Sequence, residues 1–155
     1  GAAAARGWSL GEGHLAMLLE AHCGSAEDGN TSELPPHYHM PVMAGQPDEL
    51  DWRPLVAALI ADFRSGHSPA LLASRFHEAL AEAIVRVAAL HEDLPIVLSG
   101  GVFQNRRLTE ALSRRLASRN QPVGLPGIIP PGDGGIAAGQ LAVAIAQLQS
   151  SHSRT

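Results

Sequence analysis

Along the 155-residue chain, apolar residues recur at three- and four-residue steps in a series of stretches, and short apolar runs without that period lie between them. The periodic stretches predict helices. Residues 10–23 carry Leu15, Ala16, Leu18 and Leu19 on one face, after a capping-box pattern of Ser9 and Glu12. Residues 51–64 carry Leu55, Leu59, Ile60 and Phe63, with Asp51 as cap and Gly66 closing the end. The longest helix is expected over residues 68–91, with Ser68 as cap, Pro69 at the first helical position and a stripe of Leu72, Phe76, Leu80, Ile84 and Val87. Leu108, Leu112 and Leu116 predict a helix from Asn105 to about Arg119, and a last helix spans residues 133–148. Residues 96–98 form a β-branched apolar run suited to a buried strand, and residues 122–125 a second. Residues 37–44 read as a short strand before a Gly-Gln-Pro-Asp turn, and residues 24–36 and 127–132 as loops. Helix, strand, helix, strand, helix through the second half implies an α/β layer with crossover connections.

Composition narrows the class. The length fits one domain with a useful core, and the 45% apolar and 4% aromatic content makes that core aliphatic. A formal charge of -4 gives no electrostatic case for binding nucleic acid, and no apolar run is long enough for a membrane span. The single Cys23 excludes an internal disulfide, suits a reducing compartment and reads as a small buried hydrophobe rather than a nucleophile. The first residues lack the apolar centre and cationic start of a secretion signal, so the expected location is cytoplasmic. Residues 1–9 are expected to be a flexible or truncated N-terminus, residues 10–149 the folded unit, and residues 150–155 a disordered tail.

The chemistry concentrates at two glycine-rich junctions. Ser99-Gly100-Gly101 ends the first strand just before the helix that opens at Asn105, and Asp133-Gly134-Gly135 opens the last helix. Glycines at such turns let a phosphate or ribose approach the backbone, and a helix N-terminus favours an anion. In an α/β sheet the two junctions gather at one edge, where ligands bind. Arg106 and Arg107 stand at the first turn, where they are open to a phosphate role, while the other arginines of that helix read as a solvated face. Asp133 is alternatively a plain N-cap. Neither junction has the Gly-Lys-Ser/Thr ending of a P-loop, and no G-x-G-x-x-G or G-x-S-x-G pattern is present. His37 and His39 would share one side of a strand as half a metal site, but the plainer reading is a pair of loop or edge histidines. His77 falls beside the apolar stripe of its helix, where a hydrogen-bonding role is the simpler expectation.

Longer motifs say more. Leu98-Ser99-Gly100-Gly101-Val102-Phe103-Gln104-Asn105-Arg106, followed by Pro130-Pro131-Gly132-Asp133-Gly134-Gly135-Ile136-Ala137-Ala138-Gly139-Gln140, resembles the C-terminal part of the hydrogenase-maturation carbamoyltransferases, the HypF family. Ala73-Ser74-Arg75-Phe76-His77 and Glu12-Gly13 with Ala16-Met17 and Glu20 are also similar to that family, so the likeness covers about residues 11–147. The resemblance implies the C-terminal lobe of an actin/sugar-kinase superfamily (ribonuclease-H-like) transferase domain, an α/β lobe with a mixed sheet and packed helices. It further implies that a carbamoyl group passes from carbamoyl-adenylate, made with ATP, to a C-terminal cysteine of a partner maturation protein. By the same resemblance Gly100, Gly101 and Asn105 would contact the nucleotide, and Asp133 would be a ligand of a divalent metal.

This sequence departs from the family pattern at Gly132, where Asn is usual, and at Gly11 and His14, where Tyr and Gln are usual. The family's acylphosphatase-like, zinc-finger and adenylate-forming regions, and the first transferase lobe with its paired histidines, are not among these 155 residues. The expectation is therefore half an active site, with no turnover in isolation. A non-catalytic module that docks nucleotide or partner is the alternative. A sheet lacking its opening strands would expose an edge and favour a homodimer.

Overall fold

The computed structural model describes residues 11, 13–23, 38–117, 119, 121–125 and 127–152. The element order is α1 (His14–Ala21), β1 (Val42–Met43), β2 (Glu49–Leu50), α2 (Arg53–Arg64), α3 (Pro69–Ala89), β3 (Ile96–Val97), α4 (Arg106–Leu116), β4 (Val123–Gly124) and α5 (Ile136–His152). Single 3-10 turns precede α4 and α5, over Gly101–Gln104 and Asp133–Gly135. Ser9, Glu12, His37 and the stretch 1–9 lie outside the described residues.

Helix α3 is the axis of the molecule, in contact with α1, α2, α4 and β1. Its start follows from local chemistry: Ser68 accepts a hydrogen bond from the Leu71 N–H at 3.2 Å, and Pro69 sits where no amide donor is needed. Two apolar clusters flank it. Tyr38, Met40, Leu55, Leu72, Ala79 and Ala83 form one with α2, and Ala81, Leu98, Leu108, Ala111, Leu112 and Leu116 form the other with α4 and β3. The expected stripe is only part of this arrangement. Ala73, Ala79, Ala81 and Ala83 are wholly buried, whereas Phe76, Leu80, Ile84 and Val87 are half-buried. Alanines let neighbouring elements approach on both sides, so α3 is wrapped rather than laid on a single surface.

Both parallel and antiparallel pairing occur, in two separate pairs. β1 and β2 form an antiparallel hairpin with Val42 opposite Leu50, and β3 and β4 a parallel pair with Ile96 opposite Val123. The parallel pair with α4 between its strands is the expected crossover unit. Its strand is not buried on both faces, however: Leu98 is 5% exposed and Val97 is 71% exposed. Among the described residues, helices cover one face only.

Ends also shifted in informative ways. Helix α1 begins after Gly13, whose φ of 74° is left-handed, four residues later than the apolar pattern suggests. Asp51 receives the Arg53 N–H at 3.0 Å, so it anchors α2 from two residues ahead of the helix. Helix α5 continues to His152, through Ser150, whose hydroxyl donates to the Ala146 carbonyl at 2.8 Å. Apolar residues spread around α5 remain exposed, including Leu141, Val143, Ile145 and Leu148. Among the described residues no helix is long and apolar enough to cross a membrane.

Candidate functional site

Where β3 ends, Gly100 adopts φ 103° and ψ 158°, a conformation open to glycine and costly for other residues. The turn brings its N–H to the Pro131 carbonyl at 2.6 Å. This bond ties the first glycine junction to the loop before the second. A Cβ built on Gly132 would lie 3.1 Å from Gln104 Nε2 and 3.6 Å from Gly101 Cα, so the two turns touch. The Cβ of an asparagine, the residue usual at that position in the resembling family, would press on the end of the Gln104 side chain, while Gly101 Cα would stay at ordinary contact distance. Gly135 donates its N–H to the Gly132 carbonyl at 2.9 Å, closing the turn that carries Asp133.

Between the junctions lies an open cavity of about 430 Å³, lined by Ser99, Gly100, Pro131, Asp133, Gly135 and Gly139 among others. Gly100 and Asp133 thus meet across one space. Asp133 is exposed, and among the described residues its carboxylate has no hydrogen-bond or ion-pair partner. It is not an N-cap, because it lies inside the 3-10 turn and Gly132 holds the cap position without a side-chain bond. Gly101 follows Gly100 in the first turn but is not among the lining residues, and a Cβ there would meet nothing within 4 Å.

Asn105 stands beside this cavity rather than in its lining. Its Oδ1 accepts the Leu108 N–H at 2.8 Å and caps α4. Its Nδ2 lies 2.8 Å from His77 Nε2. His77 is 2% exposed, and its Nδ1 is 2.8 Å from the Ala73 carbonyl oxygen. A carbonyl only accepts, so Nδ1 carries the proton and Nε2 accepts from Asn105. The Asn105 orientation agrees, since its oxygen is committed to Leu108.

Cys23 approaches the same ring, with Sγ 3.2 Å from His77 Nδ1 and 3.6 Å from the Leu19 carbonyl oxygen. Cysteine, histidine and asparagine in line suggest a nucleophile triad, but the proton positions oppose it. His77 Nδ1 already donates and cannot receive the thiol proton. Burial pushes the Cys23 thiol up; Arg107 pulls it down, and Glu20 and Glu78 add to the rise. It is a half-buried thiol, not a thiolate.

The N-terminus of α4 is not open to a ligand phosphate in the way its sequence suggests. Glu20 of α1 accepts the Arg107 N–H at 3.2 Å, and Asn105 takes the Leu108 N–H. The anion at this helix end is the protein's own carboxylate. Arg106 pairs with Glu110 at 2.7 Å on the surface. Arg107 faces Glu78 at 3.8 Å, and Arg115 donates to the other Glu78 oxygen. Neither Arg106 nor Arg107 lines the cavity. His39 is exposed, with Nδ1 3.4 Å from an Arg86 nitrogen, and among the described residues no three His, Cys, Asp or Glu side chains gather as a metal site.

A parallel crossover unit with two glycine turns closing on one cavity has counterparts among known proteins. The family model described as the second subdomain of the carbamoyltransferase Kae1-like domain matches residues 6–140. The fold is that of such a subdomain. The chain is 31% identical to carbamoyltransferase HypF of Synechocystis sp. over 132 residues, covering 84% of this chain and 16% of that protein. It is 34% identical to HypF of Rhodobacter capsulatus over 144 residues, covering 90% of this chain and 17% of the other. A full-length HypF crystal structure in a phosphate- and nucleotide-bound form superposes with a TM-score of 0.79 at 26% identity, over 90% of this chain and 18% of that one. The chain belongs to the HypF carbamoyltransferase family.

Proposed function

We propose that this chain supplies the nucleotide-facing half of a carbamoyltransferase site that serves [NiFe]-hydrogenase maturation. The observation that carries the reading is the Gly100 N–H to Pro131 bond, which closes two glycine turns around a cavity whose rim bears the Asp133 carboxylate, unpaired among the described residues. A similar full-length protein, described as phosphate- and nucleotide-bound, supports nucleotide as the occupant. The phosphates or ribose of ATP or carbamoyl-adenylate would lie against Gly100 and Gly101, with the Asn105 amide at one side. In the transfer, a thiolate from the C-terminal cysteine of a partner maturation protein attacks the carbamoyl carbon. The bond from that carbon to the adenylate oxygen breaks, AMP leaves with the electron pair, and a thiocarbamate remains on the partner. Adenylate is a good leaving group, so the protein's task is orientation and exclusion of water.

A divalent metal fits this chain only in part. Asp133 offers one carboxylate, and the described residues gather no coordination shell around it. When bound, such a metal would supply charge opposite the phosphates, with Asp133 as one ligand.

Gly101→Val tests the site. The position has room for a side chain in the free protein, so the fold should survive while the ligand's space is filled. In an NMR titration with ADP, with and without a divalent metal, shifts should cluster at Gly100, Gly101, Asn105 and Gly134. The variant should lose about tenfold or more in affinity, the equivalent of about 1.4 kcal/mol. A folded wild-type chain without such shifts would instead favour a module that docks a partner and turns nothing over.

A further inference from the structure

We propose that His77 is a positioning residue for the nucleotide site, holding the Asn105 amide so that one N–H is aimed at the ligand. The inference rests on the reading that Asn105 contacts nucleotide. Three anchors define the amide plane. The backbone fixes Asn105 as the cap of α4, the Leu108 N–H fixes Oδ1 at 2.8 Å, and His77 Nε2 fixes Nδ2 at 2.8 Å. The amide nitrogen has two hydrogens, and His77 takes one. Among the described residues the second has no acceptor, and a ligand oxygen can supply it.

His77 is suited to this because it cannot turn. Its Nδ1–H is tied to the Ala73 carbonyl one helical turn back, and Cys23 Sγ lies 3.2 Å from the same nitrogen. The Phe76 ring meets it edge-on, with centroids 5.8 Å apart and an interplanar angle of 82°. A ring held on that side presents its Nε2 lone pair in one direction only. The chain therefore spends a buried polar residue on α3 to orient an amide on the neighbouring element. Packing alone would be met by an apolar side chain at this place.

Two substitutions separate positioning from packing. In His77→Gln the terminal amide reaches about as far as Nε2, so its oxygen can accept from Asn105 while the Ala73 bond is lost. In His77→Asn the shorter amide can keep the Ala73 bond but falls short of Asn105. Each removes one hydrogen bond, so both should lower the melting temperature to a similar degree. ADP affinity, measured on the folded 155-residue chain by calorimetry, should split them: about tenfold weaker for His77→Asn and within about threefold of wild type for His77→Gln. The Asn105 side-chain amide resonances should move and broaden in His77→Asn and hold their place in His77→Gln. Equal affinities for the two variants, whether both weakened or both like wild type, would overturn the role of His77. An Asn105→Ala control tells the failures apart. If it weakens ADP binding while His77→Asn does not, only this inference falls; if it has no effect, the nucleotide reading of Asn105 falls too.

Discussion

Gly135→Ala is expected to destabilise the chain, and the size of the effect follows from the contacts a methyl would make. A Cβ at Gly135 would lie 2.5 Å from the Pro130 carbonyl oxygen, 3.1 Å from Ile129 Cγ2 and 3.7 Å from the Pro130 carbonyl carbon. The first of these is backbone, and its loop is held by the Pro131 carbonyl that accepts the Gly100 N–H. It cannot swing aside without loosening both turns. Overpacking of this kind costs about 1–3 kcal/mol, offset by about 0.4–1 kcal/mol from the lower chain entropy of alanine. The net is about 1–2 kcal/mol, read from urea denaturation by circular dichroism. Gly100→Ala should cost about 1–3 kcal/mol for another reason, the φ of 103°. Gly101→Ala is the internal control, since a Cβ there meets nothing within 4 Å and φ is not left-handed. Its stability should equal or exceed wild type. A Gly135→Ala protein as stable as Gly101→Ala would refute the close packing of Gly135 against Ile129 and Pro130 in the loop that lines the cavity.

Three further outcomes follow from the ion pairs and the thiol. Arg115→Ala should cost about 3 kcal/mol, because it strips the nearer cation from Glu78, which is 1% exposed and among the described residues keeps Arg107 at 3.8 Å; Glu78→Gln with Arg115→Met should recover most of the loss. The Tyr38 hydroxyl, 2.9 Å from Asp62, holds that carboxyl below the usual carboxylate range, with Arg75 and His67 adding to the effect. A lowered carboxylate contributes stability above its unfolded pKa and loses it as pH falls through the folded one. Asp62→Asn should therefore lower the urea midpoint at pH 7, and the gap from wild type should close towards about pH 3. Cys23 should react more slowly with iodoacetamide at pH 7 than a free cysteine does, since burial keeps it protonated; faster alkylation would contradict the hydrogen positions assigned around His77.

Local chemistry was legible in the sequence, and distant contacts were not. Ser68 could be read as a cap because the group it bonds lies three residues away. Leu108, Leu112 and Leu116 could be read as a buried face because the period and the side-chain size agree. The buried alanines of α3 gave no such signal. Ala is neutral in an apolar pattern, and whether it faces solvent or a neighbouring helix depends on what packs there. Val97 read as buried because it is β-branched, but its exposure depends on which sheet face the helices cover. Asp133 has the residue type of a cap and misses the position by one, because a 3-10 turn intervenes before α5. His77 and Asn105 are 28 residues apart, and only the packing of α3 beside α4 brings them within 2.8 Å.

The use of Glu20 changes where a phosphate belongs. A strand, a glycine turn and a helix place the positive end of the helix dipole at the turn, which points to α4 as an anion seat. Here α1 delivers a carboxylate to that end, 87 residues away in sequence, and Asn105 fills the next donor. Seating a ligand phosphate there would require expelling Glu20 and leaving its charge near Glu78. The open side of the turns carries no such cost: Gly100 and Gly101 present backbone, and no described residue pairs with Asp133. The arginines that looked suited to phosphate serve Glu110 and Glu78 instead. The first turn of α4 is thus consumed in holding α1, α3 and α4 together. What remains for a ligand is the backbone of the two glycine turns and the amide that His77 holds in place.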